Sequence, residues 1–336
     1  MQKLISIIIP CYNVETYIDR CVKSLINQTI GVENLELIFV NDASTDNTLE
    51  KLFEYEKLYE NSIIVINLPE NMRQGGARNV GIKYSSSEYI GFVDSDDWIE
   101  FTMYEKLYNK MIEMNCDIVA CDYVRDFGDC TIELGLNGEI DKFVIIQNEE
   151  DRKRVILDSI KSGIWTKIYK KEFLSINNIY FPEYLTYEDN YFNSLCLMYV
   201  KRYYVIEEYL YHYYANPNST ILSNNSSHHY DRLIIELMII EELKKRNFFN
   251  IYHDEIEFLF LKKFYINTLH TLILRFDVIP YDIFLYMKEC VLNIFPKYKQ
   301  NPYITSNLKG WIETIELDLS PSDLNELVAV YRESMN

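Results

Sequence analysis

LISIIIPCYN, residues 4–13, reads as a buried strand that runs straight into a polar turn. Three more short apolar runs follow, at residues 35–40, 63–68 and 89–93, and the stretches between them have helical spacing. Such alternation predicts an α/β fold, a mostly parallel sheet flanked by helices. In the first interval Val14, Tyr17, Ile18, Cys21, Val22, Leu25 and Ile26 fall on one helical face. The second helix is expected to be capped by Ser44 or Thr45 and to turn Leu49, Leu52 and Phe53 inward. The third should start near Gly76 and carry Ala77, Val80 and Tyr84. In an open sheet of this kind ligands gather where the strands end at their carboxyl sides. Here those ends carry Pro10 to Asn13, Asn41 and Asp42, and Asp94 to Asp97, so three loops bring a tyrosine and several carboxylates to one rim.

Beyond residue 100 the pattern predicts a helix from Met103 and a buried strand at Asp117–Cys121. Between Phe127 and Gln147 it weakens, with Gly128, Gly135 and Gly138 marking turns, and an insertion or mobile loop is expected. Order returns around Ile164–Phe173. After Tyr230 the period becomes helical, with candidate helices near 229–246, 254–276, 281–294 and 321–334. The expected division is a sheet domain over residues 1–222 and a C-terminal helical appendage over 223–336.

Of the 336 residues 48% are hydrophobic and 25% charged, which places the chain among folded proteins. With 51 acidic against 33 basic residues the net charge is −18, which argues against nucleic acid as a partner. An anionic nucleotide can still bind where a metal ion and a few cations make one cleft locally positive. Seven scattered cysteines without a CxxC pair imply reduced thiols and a cytoplasmic setting. No run approaches the ~20 apolar residues that span a bilayer. Any membrane contact is expected to be peripheral, for example through residues 241–246 or through Lys262 and Lys263 with Phe258, Phe260 and Phe264. Those segments read equally as solvated faces of packed helices.

FVDSDDWIE, residues 92–100, crowds acids at one strand exit. Asp94 and Asp96 straddle one residue, so both carboxylates can reach a shared point, and hard oxygen ligands suit Mg2+ or Mn2+. Such an ion would stabilise a diphosphate leaving group. A solvated acidic turn or a helix cap is the structural alternative. Four motifs, SIIIPCYNVETYI (6–18), FVNDASTDNT (39–48), GGARNVGI (75–82) and FVDSDD (92–97), occur in this order at strand ends and closely resemble glycosyltransferase family 2, the inverting family with the GT-A fold. WTKIY (165–169) and YEDNYF (187–192) resemble the family's acceptor-side motifs and extend the likeness to about residue 220.

The resemblance implies roles residue by residue. Pro10, Tyr12 and Glu15 frame a nucleotide base, and Asp42 reads it, with uracil the commonest case. Tyr12 as a core residue and Asp42 as a turn or cap residue remain open alternatives. Arg78 lies near the donor, or ties its loop to Asp94 or Asp42; Asn79 is expected to fix the loop. Asp94 and Ser95 touch the sugar nucleotide, and Asp96, with Asp94, holds the metal. Inversion requires a base opposite the leaving diphosphate. By resemblance Asp189 is that base, with Glu188 orienting it or binding acceptor. Trp165, Lys167 and His212 are expected around the sugar or acceptor pocket. The implied activity is transfer from a nucleotide-diphosphate sugar, UDP-linked by expectation, to a glycan, lipid-linked or protein-linked acceptor. Nucleotidyltransfer fits less well, because PCYNVETYI lacks a glycine- and lysine-rich loop. A degenerate binding or scaffold protein is the non-enzymatic alternative, and the joint presence of Asp42, Asp94, Asp96 and Asp189 speaks against it.

Overall fold

Alternation in the first ninety residues produces β1 (Ile5–Cys11), α1 (Ile18–Ile26), β2 (Leu35–Asn41), α2 (Thr48–Leu58), β3 (Ile63–Asn67), α3 (Arg73–Tyr84) and β4 (Tyr89–Phe92). The structure is a computed structural model that describes residues 3–128, 132–135, 143–158, 163–217 and 219–335. Of the stretch read as an insertion or mobile loop, residues 129–131 and 136–142 lie outside the described residues.

β1, β2 and β4 are buried at every position, as strands covered on both faces must be. β1 pairs in parallel with β2 and β4, and β2 with β3. Ile18, Cys21, Val22 and Leu25 of α1 are fully buried, as the helical spacing predicts. α2 buries Leu52 but leaves Phe53 47% exposed, and it begins at Thr48, whose amide donates to Asp46 Oδ1 at 3.0 Å, so neither Ser44 nor Thr45 is its cap. α3 begins three residues before Gly76, and Tyr84 is exposed. That helix packs through small residues: a Cβ on Gly81 would sit 2.3 Å from Ile8 Cγ2. Glycine is therefore needed for α3 to lie this close to β1.

The unit continues with β5 (Trp98–Ile99), α4 (Met103–Met114), β6 (Ile118–Asp126), β7 (Ile132–Gly135), β8 (Phe143–Ile145), α5 (Glu149–Asp158), β9 (Lys167–Lys170), α6 (Lys171–Ile176), α7 (Glu188–Tyr199) and β10 (Arg202–Tyr214). The sheet order is β3-β2-β1-β4-β9-β6-β10-β5, with β7 added to β6 and β8 to β10. β9 runs antiparallel to both β4 and β6, and β5 antiparallel to β10. The fold is therefore α/β as expected, but its sheet is mixed beyond β4. Of the strands in that part, β6 is expected at Asp117–Cys121, whereas periodicity does not read the antiparallel pairing around it.

The chain folds as two compact units, Met1–Asn216 and Pro217–Asn336. The second contains α8 (Asp231–Lys245), α9 (His253–Phe260), α10 (Thr268–Arg275), α11 (Tyr281–Ile294), α12 (Ser306–Glu313) and α13 (Pro321–Met335). A π-helical segment, Leu261–Asn267, joins α9 to α10 and buries Leu261, Phe264, Tyr265 and Ile266. Phe260 and Phe264 stack at 4.3 Å inside this unit, so the Lys262–Lys263 segment does not offer those two rings to a membrane. At residues 241–246, Lys244 pairs with Glu241 on an exposed face, and Lys245 and Arg246 pair with the largely covered Glu242. No described helix is long and apolar enough to cross a membrane.

Candidate active site

Asp94 leaves β4 beside Arg78 of α3. The guanidinium is 2% exposed; its Nη2 donates to Asp94 Oδ1 at 2.8 Å and its Nη1 to Glu188 Oε1 at the start of α7. One buried cation thus ties together three segments that are far apart in sequence. Burial raises the Glu188 carboxyl against the pull of Arg78, and the two carboxylates beside it hold Arg78 protonated. Gly75 makes the approach possible, since a Cβ there would meet the Pro182 carbonyl oxygen at 2.1 Å and Glu188 Cγ at 3.1 Å. Asn79 fixes the same loop by accepting from Phe181 N at 3.0 Å and donating to Phe181 O at 2.8 Å. Asp189, next to Glu188, faces the same field: its charge acts on both Arg78 and Lys167. Its Oδ1 accepts from Asn190 N at 2.9 Å.

The other acids of the turn have separate anchors. Asp96 Oδ2 accepts from Asn216 Nδ2 at 3.0 Å, and burial followed by the charge of Asp94 raises its pKa. Asp97 is 1% exposed and braces the end of β10, accepting from Tyr211 Oη at 2.6 Å and Tyr214 N at 2.7 Å. Its role is structural. Tyr211 Oη in turn accepts from Asp94 N at 3.2 Å. Ser95 is buried and shares a side-chain hydrogen bond with Cys11. Among the described residues Cys11, Cys21, Cys116, Cys121, Cys196 and Cys290 form no disulfide, and Cys130 lies outside those residues.

The loops after β1 and β2 form a second group. Pro10 is buried in β1, in register with Val40, and Tyr12 beyond it is 49% exposed. Glu15 Oε2 accepts from Asn47 N at 2.9 Å and Asn47 Nδ2 at 2.7 Å, while Asn13 Oδ1 accepts from Thr45 N at 2.8 Å. Glu15 therefore holds one loop to the other. Asp42 is 3% exposed and its Oδ1 accepts from Met72 N at 2.7 Å just ahead of α3, a capping contact; burial raises its pKa.

Trp165 stacks on Tyr211 at 4.3 Å and on Tyr213 at 5.6 Å. Lys167 is fully buried, donates to Gly163 O and is pushed down to about 7 by burial. His212 stacks on Trp98 at 5.0 Å, and its Nε2 lies 2.7 Å from Glu100 Oε1. Of the residues expected at the site, Asp94, Arg78, Glu188 and Asp189 come together at one point, and Tyr12, Glu15 and Asp42 belong to the two loops beside it. Sequence reasoning missed Arg20, Tyr211 and Asn216. Asn216 stands four residues after His212.

Divalent cation chemistry fits these side chains. Asp94 and Asp96 each leave one carboxylate oxygen without a side-chain partner among the described residues, and the negative field of Asp94 on Asp96 is what a cation relieves.

Residues 6–173, half of the chain, match the family model described as Glycosyl transferase family 2, and the chain belongs to that family. It is 32% identical over 222 residues to the uncharacterized glycosyltransferase EpsJ of Bacillus subtilis, covering 65% of this chain and 63% of that one. It is 34% identical over 211 residues to a poly(ribitol-phosphate) beta-glucosyltransferase of Bacillus spizizenii, covering 62% of this chain but 32% of the relative. The crystal structure of S. aureus TarS 1–349 in complex with UDP-GlcNAc superposes with a TM-score of 0.72 at 21% identity, over 98% of this chain and 92% of that chain, a likeness of fold.

Proposed function

We propose that the protein transfers a hexose or N-acetylhexosamine from a UDP-linked donor to a hydroxyl of a glycan or polyol acceptor, with inversion at the anomeric carbon. The observation that carries this reading is the Asp94–Arg78–Glu188 bridge, which joins the acidic strand exit to the start of α7 where Asp189 stands. Family membership supports it, as do the named activity of the B. spizizenii relative and the sugar nucleotide of the TarS complex.

In this reading Tyr12 offers a face to the base, and Asp42, held by the backbone N–H groups of Met72 and Arg73, accepts from a ring N–H with a remaining lone pair. Asp94 and Asp96 would hold a Mn2+ or Mg2+ ion, which when bound neutralises the diphosphate and eases its departure. Asn216 keeps the Asp96 carboxylate oriented for that contact. Asp189 takes the proton of the attacking hydroxyl. Glu188, held by Arg78, fixes the start of α7 and so the place of Asp189. Trp165, with its ring on Tyr211, forms a wall against which sugar C–H groups can pack. Burial of Lys167 under the same motif keeps that wall rigid.

Calorimetry of UDP binding with and without Mn2+ tests the reading. Affinity should fall about tenfold or more when the ion is withheld or in Asp96→Ala. Equal affinity under all three conditions removes the metal role. Failure of UDP-glucose and UDP-N-acetylglucosamine to be hydrolysed or transferred removes the transferase reading.

A further inference from the structure

Arg20 of α1 is exposed yet held still. Its guanidinium carbon lies 3.7 Å from the Trp98 ring centroid and 4.8 Å from that of Tyr214, and Nη2 donates to the Asp96 carbonyl oxygen at 2.8 Å. The flanking rings are themselves anchored. His212 stacks on Trp98 within 10° of parallel and is bonded to Glu100, while Tyr17 packs on Tyr214 at 5.6 Å. Among the described residues no carboxylate lies within ion-pair distance of Arg20, and the Asp96 carbonyl is its one hydrogen-bond acceptor. Arg20 makes no direct ion pair, although its charge favours the ionised form of the nearby Asp96, and ordering a long side chain costs conformational entropy. A planar fork already fixed, with most of its N–H groups unused, suits bidentate recognition of a phosphate.

The position is away from the nucleoside end of the proposed donor. Tyr12 and Asp42 follow β1 and β2, towards one end of the strand order, whereas Trp98 and Tyr214 belong to β5 and β10 at the other. Arg20 hydrogen-bonds the backbone oxygen of Asp96 and its charge reaches the carboxylate that Asn216 binds, but no direct ion pair with Arg20 occupies the group assigned to the metal. We infer that Arg20 recognises a phosphate of the acceptor beside the hydroxyl that receives the sugar, so that the acceptor is a phosphodiester-bearing polyol or glycan. This rests on the transferase reading for its orientation, but it can be tested by binding alone.

The experiment titrates the full chain with a synthetic tetramer of glycerol phosphate, with uncharged tetraglycerol, and with UDP plus Mn2+. Arg20→Gln should weaken the phosphodiester tetramer about tenfold or more and leave UDP affinity unchanged. Arg20→Lys, which keeps the charge but loses the plane, should fall between the two. The inference is overturned if the wild-type chain does not prefer the tetramer to tetraglycerol, or if Arg20→Gln binds the tetramer as the wild type does. It is also overturned if UDP affinity drops in step, because Arg20 would then serve the donor diphosphate. A wild-type chain that binds the tetramer through Arg20, yet neither binds UDP nor turns over sugar nucleotides, sinks the transferase reading and leaves the phosphate site standing.

Discussion

Arg78→Met removes the buried cation that pairs with two carboxylates while keeping most of the side-chain volume. Arg78 is 2% exposed, and its partners differ: the Asp94 side chain is 18% exposed and that of Glu188 only 4%. Water can still solvate Asp94, so the main cost falls on Glu188, left buried without its cation, where it either stays ionised or takes up a proton at a pH above its unfolded carboxylate value. Breaking a buried pair from one side typically costs about 3–5 kcal/mol. Urea denaturation at pH 7.5, followed by intrinsic fluorescence, should therefore show a loss of that order. Glu188→Gln alone should cost about 1–3 kcal/mol, because Arg78 keeps Asp94 as its partner. The double variant should recover part of the Arg78→Met loss. Burial raises the Glu188 pKa above its unfolded value, so the folded chain binds that proton more tightly than the unfolded chain does. The penalty in Arg78→Met should accordingly be full above the folded pKa and shrink as pH falls towards the unfolded carboxylate value. A loss below about 1 kcal/mol, or one that Glu188→Gln does not relieve, refutes the account.

Asp189→Asn should leave UDP affinity intact and slow transfer by about two to four orders of magnitude; near-normal turnover in a radiolabelled-sugar assay takes the base role away from Asp189. Lys167, pushed down to about 7 in the folded protein, is protonated more readily when unfolded, so stability should rise from about pH 7 towards the ordinary lysine value. The slope should be up to about 1.4 kcal/mol per pH unit and vanish in Lys167→Met; parallel stability curves for the two proteins count against the assignment. Gly75→Ala forces a Cβ onto the Pro182 carbonyl and should cost about 1–3 kcal/mol together with activity, read by thermal melts and turnover. Gly310→Ala, in open space on α12, should instead be neutral or stabilise by up to about 1 kcal/mol.

The parallel half of the sheet was legible because β1, β2 and β4 are buried on both faces, and continuous apolar runs such as SIIIPC are what that burial requires. β10 was not legible. RYYVIEEYLYHYY has neither a clean alternation nor an apolar run, because its residues face different neighbours and its pairing with β6 is broken by register shifts. Phe53 was misplaced for a related reason: helical spacing identifies a face, but not how far that face stays covered. At the site, Asp94, Arg78 and Glu188 could be named from motifs, yet the bridge joining them could not. Arg78 and Glu188 are 110 residues apart, and their contact depends on Gly75 letting the backbone close in.

The three acids of the Asp94–Asp97 turn show why motif reading could name the region without dividing the work. Three carboxylates within four residues repel one another, and each persists only because a different part of the fold attends to it. Asp94 has the guanidinium of α3, Asp96 an amide just beyond β10, and Asp97 a phenol and a backbone N–H from the end of β10. Only Asp97 has both oxygens engaged by β10 groups, and it is also the most buried of the three. That divides the turn into one acid committed to structure and two with an oxygen still available. The strand that makes this division is β10, the element that sequence periodicity could not see. An Asp97→Asn change should therefore disturb Asp94 through Tyr211, although Asp97 is assigned neither metal nor substrate.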